Sequence, residues 1–273
     1  MESSAAATLQ AAPEPKKPVY SISQIGMYIR CGLQWEFRYI QGLIIPPSAA
    51  ATQGRAVDAG ISLNLAQKVT SGIDIPLEQV RDHTSDIFEK EAVTTVWDGD
   101  DRGEVKDQAL QIVTLHHKEL APTIQPATVQ EKFRLNLEGE FDVQGIIDIT
   151  EKNDVVVDTK VTSAQKQNSF EVARALQPAM YDFAFKTLRD RPAAGFRYDL
   201  LIRPTKTLPA RKKPVPGKVE VEDHQWAFET IERAHKGIKA GVALPADEGS
   251  WACGYCGYGS SGLCPKFKKR GTS

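Results

Sequence analysis

No run of 18 or more apolar residues occurs in the chain, so no segment suits a membrane-spanning helix. The opening residues, "MESSAAATLQAAPEPKKP", lack the basic start and apolar block of a secretory leader and are read as a disordered arm over 1–18. No G-x-x-x-x-G-K-[ST] phosphate loop is present, which excludes a fused helicase motor. Charge of one sign is not in excess either: 34 Lys and Arg against 35 Asp and Glu leave a net −1, so the molecule as a whole makes no electrostatic case for a polyanion. Cysteine is scarce. The four are Cys31, Cys253, Cys256 and Cys264, the last three within "CGYCGYGSSGLC". Without an export signal they suggest a metal or cluster site rather than disulfides.

What the chain does have is core material, 41% hydrophobic over 273 residues, enough for one folded unit over 19–267. Apolar residues at Ile22, Ile25, Ile29, Leu33 and Phe37 recur at helical spacing and predict a helix over 21–39 with Ser21 or Ser23 as its cap. Further helical patterns cover 52–70, 77–93 and 103–120, giving a helical part over 21–122. The pattern then alternates through "TVQEKFRLNL", "GEFDVQGIIDIT" and "DVVVDTKV", which predicts a three-stranded meander. A helix over 169–189, a strand at "GFRYDLLIR" and a helix over 223–241 follow, so the core spans 127–203 and a C-terminal helix with the cysteines spans 222–267. Between them "RPTKTLPARKKPVPGK" carries Arg203, Lys206, Arg211, Lys212, Lys213 and Lys218 with no acid. It is read as a basic loop over 204–218, a candidate surface for a phosphate backbone, and 268–273 as a basic tail.

"GIIDITEKNDVVVDTKVTS" places two carboxylates and an amine among isoleucines and valines. An unpartnered buried carboxylate is costly, and two close together resist joint ionisation. A divalent cation would resolve the conflict, since Mg²⁺ takes a few hard oxygens and keeps waters. Asp158 and Lys160 share a strand face. Asp148 joins them if the connecting loop has three residues, and lies on the opposite face if it has two. The peptide carbonyl of Thr159 is a further candidate ligand, and Lys160 is suited to an attacking water and a phosphoryl transition state. The plainer alternative is a surface salt bridge between Asp158 and Lys160.

Asp148, followed by "DTK" at the end of an apolar strand, resembles the PD-(D/E)XK nuclease superfamily, and "GIID" resembles its RecB-like exonuclease branch. Gln177 and Tyr181 in "QPAMY" are similar to the Q-x-x-x-Y signature of that branch. The resemblance implies an α/β core of helix, three-stranded meander, helix and strand, with a helical insertion before and a cysteine-rich segment after. It implies Asp148, Asp158 and Thr159 as ligands of Mg²⁺ or Mn²⁺, and Lys160, Gln177 and Tyr181 as catalytic. Pro178 predicts a kink or restart of the helix beside Gln177. Where the family shows G-x-x-x-H, this chain reads "GRAVD", and Asp58 stands in the histidine's place, as a ligand or as a solvated residue. Glu131 on the first strand is a further candidate ligand, or an exposed partner of a neighbouring base.

Four thiolates suit tetrahedral zinc or a [4Fe-4S] cluster alike. One early cysteine and three late ones resemble the iron-sulfur staple of the RecB-like nucleases, including AddB nuclease domains and CRISPR-associated adaptation nucleases, which implies the cluster. The resemblance further implies a cytoplasmic DNA exonuclease acting on linear ends in recombination or repair, of phage or bacterial origin, with a recombination partner such as a strand-annealing protein. A DNA-binding module without catalysis and an iron-sulfur redox protein are the competing classes.

Overall fold

The computed structural model describes residues 17–137, 139–247 and 250–266. The arm therefore lies outside the description except for its last two residues, and the tail over 268–273 lies wholly outside it. Lys17 is held: its ammonium pairs with Asp142 at 2.8 Å and donates to Asn136 at 2.8 Å.

A short strand β1 (Val19–Ser21) leads into α1 (Ile22–Arg30), capped reciprocally by Ser21 and Gln24. The helix predicted over 21–39 is broken. Cys31 is extended, with φ −165°, and its thiol accepts the Gln34 N–H to start α2 (Gly32–Tyr39). The break lets the chain pass close to the 243–246 segment: a Cβ on Gly32 would lie 2.8 Å from the Leu244 nitrogen, so only glycine fits. Helices α3 (Ala49–Ser71), α4 (Leu77–Ala92) and α5 (Arg102–Glu119) match the predicted helical part, and a 3₁₀ turn (Ala121–Thr123) leads into the sheet.

Strands β2 (Pro126–Asn136), β3 (Asp142–Glu151) and β4 (Val155–Thr162) form the predicted meander. Helix α6 (Leu176–Arg189) begins later than predicted. Pro178 sits in its first turn, where a missing N–H costs nothing, so the helix starts there rather than kinking. Strand β5 (Gly195–Ile202) then pairs parallel to β4. Of the stretch predicted as a basic loop over 204–218, residues 204–210 are loop and most of the rest forms the antiparallel edge strand β6 (Arg211–Gly217). Its Pro214 and Pro216 alternate, so their missing N–H groups can fall on the open side of the edge, where no ladder bond is lost. Helix α7 (Val221–Lys239) and two single turns, α8 (Trp251–Gly254) and α9 (Gly257–Ser260), complete the described chain.

The fold is a mixed α/β sandwich. Helices α1, α6 and α7 bury Ile25, Met180, Phe185 and Ile231 against one face of the sheet, with Ile147, Val156 and Leu200. Helices α3, α4 and α5 bury Leu65, Phe88 and Ile112 against the other, with Ile149, Val157 and Leu201. Ile147 and Ile149 share strand parity yet belong to opposite cores, so regular alternation fails at Asp148.

Candidate active site

The failure of alternation coincides with an opening in the sheet. Along one edge of β3, β1 pairs with residues Asp142 to Gln144 and β4 with Ile149 and Thr150. Among the described residues, no strand covers that edge between them. Asp148 stands at this gap. The pairs Ile149–Val157 and Thr150–Val156 set a register in which Asp148 lies opposite Asp158. The loop has three residues, 152–154, with Asp154 in the left-handed region at φ 65°. That is the geometry of a three-residue hairpin, and Arg191 clamps the Asp154 carboxylate at 2.9 and 2.8 Å.

Side chains reach the gap from both helical layers. Asp158 is fully buried, at 0% exposure. Its Oδ1 accepts from Lys160 Nζ at 2.9 Å and from Gln177 Nε2 at 2.9 Å, and the same amide nitrogen donates to the Tyr181 hydroxyl at 2.9 Å. Gln177 and Tyr181 come from α6. Gly145 supports them indirectly: a Cβ there would meet the Phe133 ring at 2.5 Å, and that ring packs edge-on against Tyr181. From the other layer α3 brings Asp58 within electrostatic reach of Asp148, Asp158 and Lys160.

Three carboxyls thus face one ammonium. Burial, then the neighbouring Asp158 charge, push the Asp148 carboxyl up to about 8. Burial also raises Asp158 and Asp58 above the usual carboxylate range, although Lys160 pulls each back. For Lys160 burial acts downward, but the charges of Asp158, Asp148 and Asp58 outweigh it and the ammonium is held firmly protonated. Burial raises the Tyr181 phenol as well, which keeps it neutral.

The residues fit a hard divalent cation. Asp158 Oδ2 is ion-paired to Lys160 Nζ at 2.7 Å and Asp148 stands within hydrogen-bonding reach of Asp158, so the two acids share the one ammonium and leave oxygen donors for a cation. Among the described residues no three His, Cys, Asp or Glu side chains converge tightly enough to hold an ion. The tight set is therefore the Asp148 and Asp158 pair, with Asp58 further out, and Mg²⁺ completes so small a protein set with waters. A cavity of about 950 Å³ lined by Phe141, Phe183, Phe228 and His235 lies elsewhere and includes none of these groups.

Other predicted residues go elsewhere. Glu131 does not join the acids: it takes both oxygens to Arg189 at 2.8 and 2.7 Å and accepts from Thr128. It pairs with Ile147, one position away from the site, and it is Gln130, at φ 53°, that occupies the register position opposite Asp148. No sequence signal marks a left-handed glutamine inside a strand. The basic stretch is largely spoken for. The Arg203 guanidinium is committed to Gln53 and Ala50 of α3, Lys212 to Glu119, and Lys213 to Gln167 and Asn168. Arg211 buries an unpartnered Nε, while Lys206 and Lys218 are exposed.

The four cysteines are unpaired and half-buried. The Cys253 thiol is raised by burial and then by the charges of Cys31, Cys256 and Cys264, so those three lie within electrostatic reach of it. Cys31 Sγ accepts backbone N–H groups from Gln34 and Ala246, each at 3.4 Å. Sulfur donors with main-chain N–H support suit a thiolate-held metal, although the four do not close into a coordination sphere.

The sheet of this α/β sandwich opens around two opposed aspartates and a lysine, a donor set suited to a hard divalent cation. The family profile of the PD-(D/E)XK nuclease superfamily matches residues 19–265, and the chain belongs to that superfamily. A solved structure from Eubacterium rectale, described as a "Putative exonuclease", is similar at TM-score 0.57 and 13% identity, covering 88% of this chain and 90% of that one. A second, of SSO0001, covers 87% and 96% at TM-score 0.36 and 11% identity, too remote to carry an argument. No curated protein matches. Among the described residues no helix is long and apolar enough to cross a membrane.

Proposed function

We propose that the protein is a metal-dependent DNA exonuclease of the RecB-like branch, hydrolysing phosphodiester bonds from the ends of linear DNA. The observation that carries the reading is the buried pair Asp148 and Asp158, opposed across the β3–β4 hairpin, with Lys160 at 2.7 Å from Asp158. Asp148, Asp158 and the Thr159 carbonyl would hold Mg²⁺ or Mn²⁺, with Asp58 acting through water. When bound, such an ion stabilises charge on the phosphoryl oxygens. Lys160 positions the attacking water and offsets charge on the phosphate. Gln177 holds the Asp158 carboxylate in place, and Tyr181 receives its second N–H. Glu131, spent on Arg189, is left out of the ligand set. Of the predicted backbone contacts, exposed Lys206 and Lys218 remain the best placed.

We assign Cys31, Cys253, Cys256 and Cys264 to a [4Fe-4S] cluster, with zinc as the alternative, that would tie the α1–α2 break to the C-terminal segment. Recombination or repair in a bacterial or phage-infected cytoplasm, beside a strand-annealing partner, is the setting this activity suits. End-labelled linear DNA, labelled separately at 5′ and 3′, is digested with Mg²⁺ beside a covalently closed circle. Release from one end with the circle intact supports the reading. Digestion of the circle, or equal digestion by Lys160→Ala, overturns it. Anaerobic purification should give a coloured protein, and a colourless one holding stoichiometric zinc would remove the cluster.

A further inference from the structure

Two large aromatic side chains near the cysteines are turned outward. Trp251 is 68% exposed and Tyr255 73% exposed, the first opening the single turn α8 and the second capping its end. Exposed rings of this size contribute nothing to the core.

Tyr255 is not loose. Lys166 Nζ stands 3.7 Å from its ring centroid, covering one face of the ring and holding it by a cation–π contact. The exposure of the ring leaves the other face open. Lys166 belongs to the segment between β4 and α6, six residues beyond Lys160, so chain length alone keeps it within about 20 Å of the site. The same segment is pinned to the edge strand, where Lys213 donates to Asn168 Oδ1 at 2.6 Å and to the Gln167 carbonyl. The segment that carries Lys166 is therefore tied at one end to β6 and at the other to the open ring of Tyr255.

Fixed aromatic rings interleaved with cations are the chemistry that grips single-stranded nucleic acid without reading its sequence: the rings stack on bases, and the lysines meet phosphates. We propose that Tyr255 and Trp251 form a base-stacking platform for a single strand of DNA leading to or from the active site. The proposal rests on the nuclease reading for its substrate, but its test needs no cleavage.

The test uses the full chain carrying Lys160→Ala, without added divalent cation, and the anisotropy of a fluorescein-labelled oligothymidylate. Tyr255→Ala should weaken binding about 5- to 150-fold, the range of one lost stacking contact, while Tyr255→Phe binds as the parent does. Trp251→Ala should weaken it comparably. An abasic oligonucleotide of equal phosphate count should bind parent and Tyr255→Ala alike, and the salt dependence should be unchanged because no phosphate contact is lost. Equal affinity of parent, Tyr255→Ala and Trp251→Ala for the oligothymidylate would overturn the platform, as would an equal loss on the abasic strand. A change confined to self-association would assign the rings to a protein contact and overturn it too. Failure of the native protein to cleave linear DNA with Mg²⁺, with Tyr255-dependent binding intact, would sink the nuclease reading and leave the platform standing.

Discussion

Gln177 donates through Nε2 to Oδ1 of Asp158 at 2.9 Å, joining the first turn of α6 to a fully buried carboxylate on β4. The bond orients an acid it does not replace. Gln177→Ala should therefore lower kcat about 10- to 100-fold, the usual effect of losing a group that fixes a metal ligand, with little change in KM. Gln177→Glu should be worse, because it adds a fourth carboxyl. Steady-state digestion of a linear duplex separates the two parameters.

Asp148→Asn should stabilise the protein while abolishing activity. The fold keeps this carboxyl protonated up to about 8, whereas an unfolded chain ionises it from 3.8 upward, so an amide in its place removes a penalty present at neutral pH. A gain of about 1 kcal/mol is expected in metal-free buffer. Added Mg²⁺ should raise the melting temperature of the native protein and leave that of Asp148→Asn in place, since only the former holds the ion. Thermal melts with EDTA and with Mg²⁺ decide it.

Glu131→Ala should cost about 1 kcal/mol, the loss of a partly buried pair in which one Arg189 nitrogen donates to both Glu131 oxygens, and leave kcat close to native. A metal ligand would behave the opposite way. Urea melts and kinetics on one preparation distinguish them.

His116 should limit acid stability. It is 1% exposed on α5 with an unpartnered Nε2, and burial first, then the charge of His117, lowers it from 6.5 to about 3. Unfolded chains take up the proton near 6.5, but the folded protein resists it until about 3. Its contribution is therefore complete above 6.5 and is lost as pH falls toward 3, at up to about 1.4 kcal/mol per pH unit. His116→Gln should melt with a visibly shallower pH dependence between 6.5 and 5, and identical slopes would refute the assignment.

The meander and most of the helical part were legible because each element buries one face, and burial writes its period into the residues. Ile22, Ile25 and Phe37 advertise helix in this way, and Val155, Val156 and Val157 advertise strand. The break at Cys31 was hidden, because an extended residue between two helices leaves the apolar spacing nearly intact. The basic stretch misled for a related reason. Lysines and alternating prolines suit a loop and an edge strand equally, and only pairing with β5 separates the two.

At the site, residue types alone announced Asp148, Asp158 and Lys160, since two acids and an amine in an apolar hairpin demand a partner. Their separation also limited the loop to a few residues, but whether two or three residues turn the chain is a matter of Asp154 adopting φ 65°, and that choice alone decides which face Asp148 takes. Likewise Asp58 and Tyr181 lie far apart in the chain, on opposite layers. Sequence supplies their chemistry. Only the opening between β1 and β4 along the edge of β3 lets groups from both layers meet one pair of carboxylates, because a continuous sheet would keep the two faces apart.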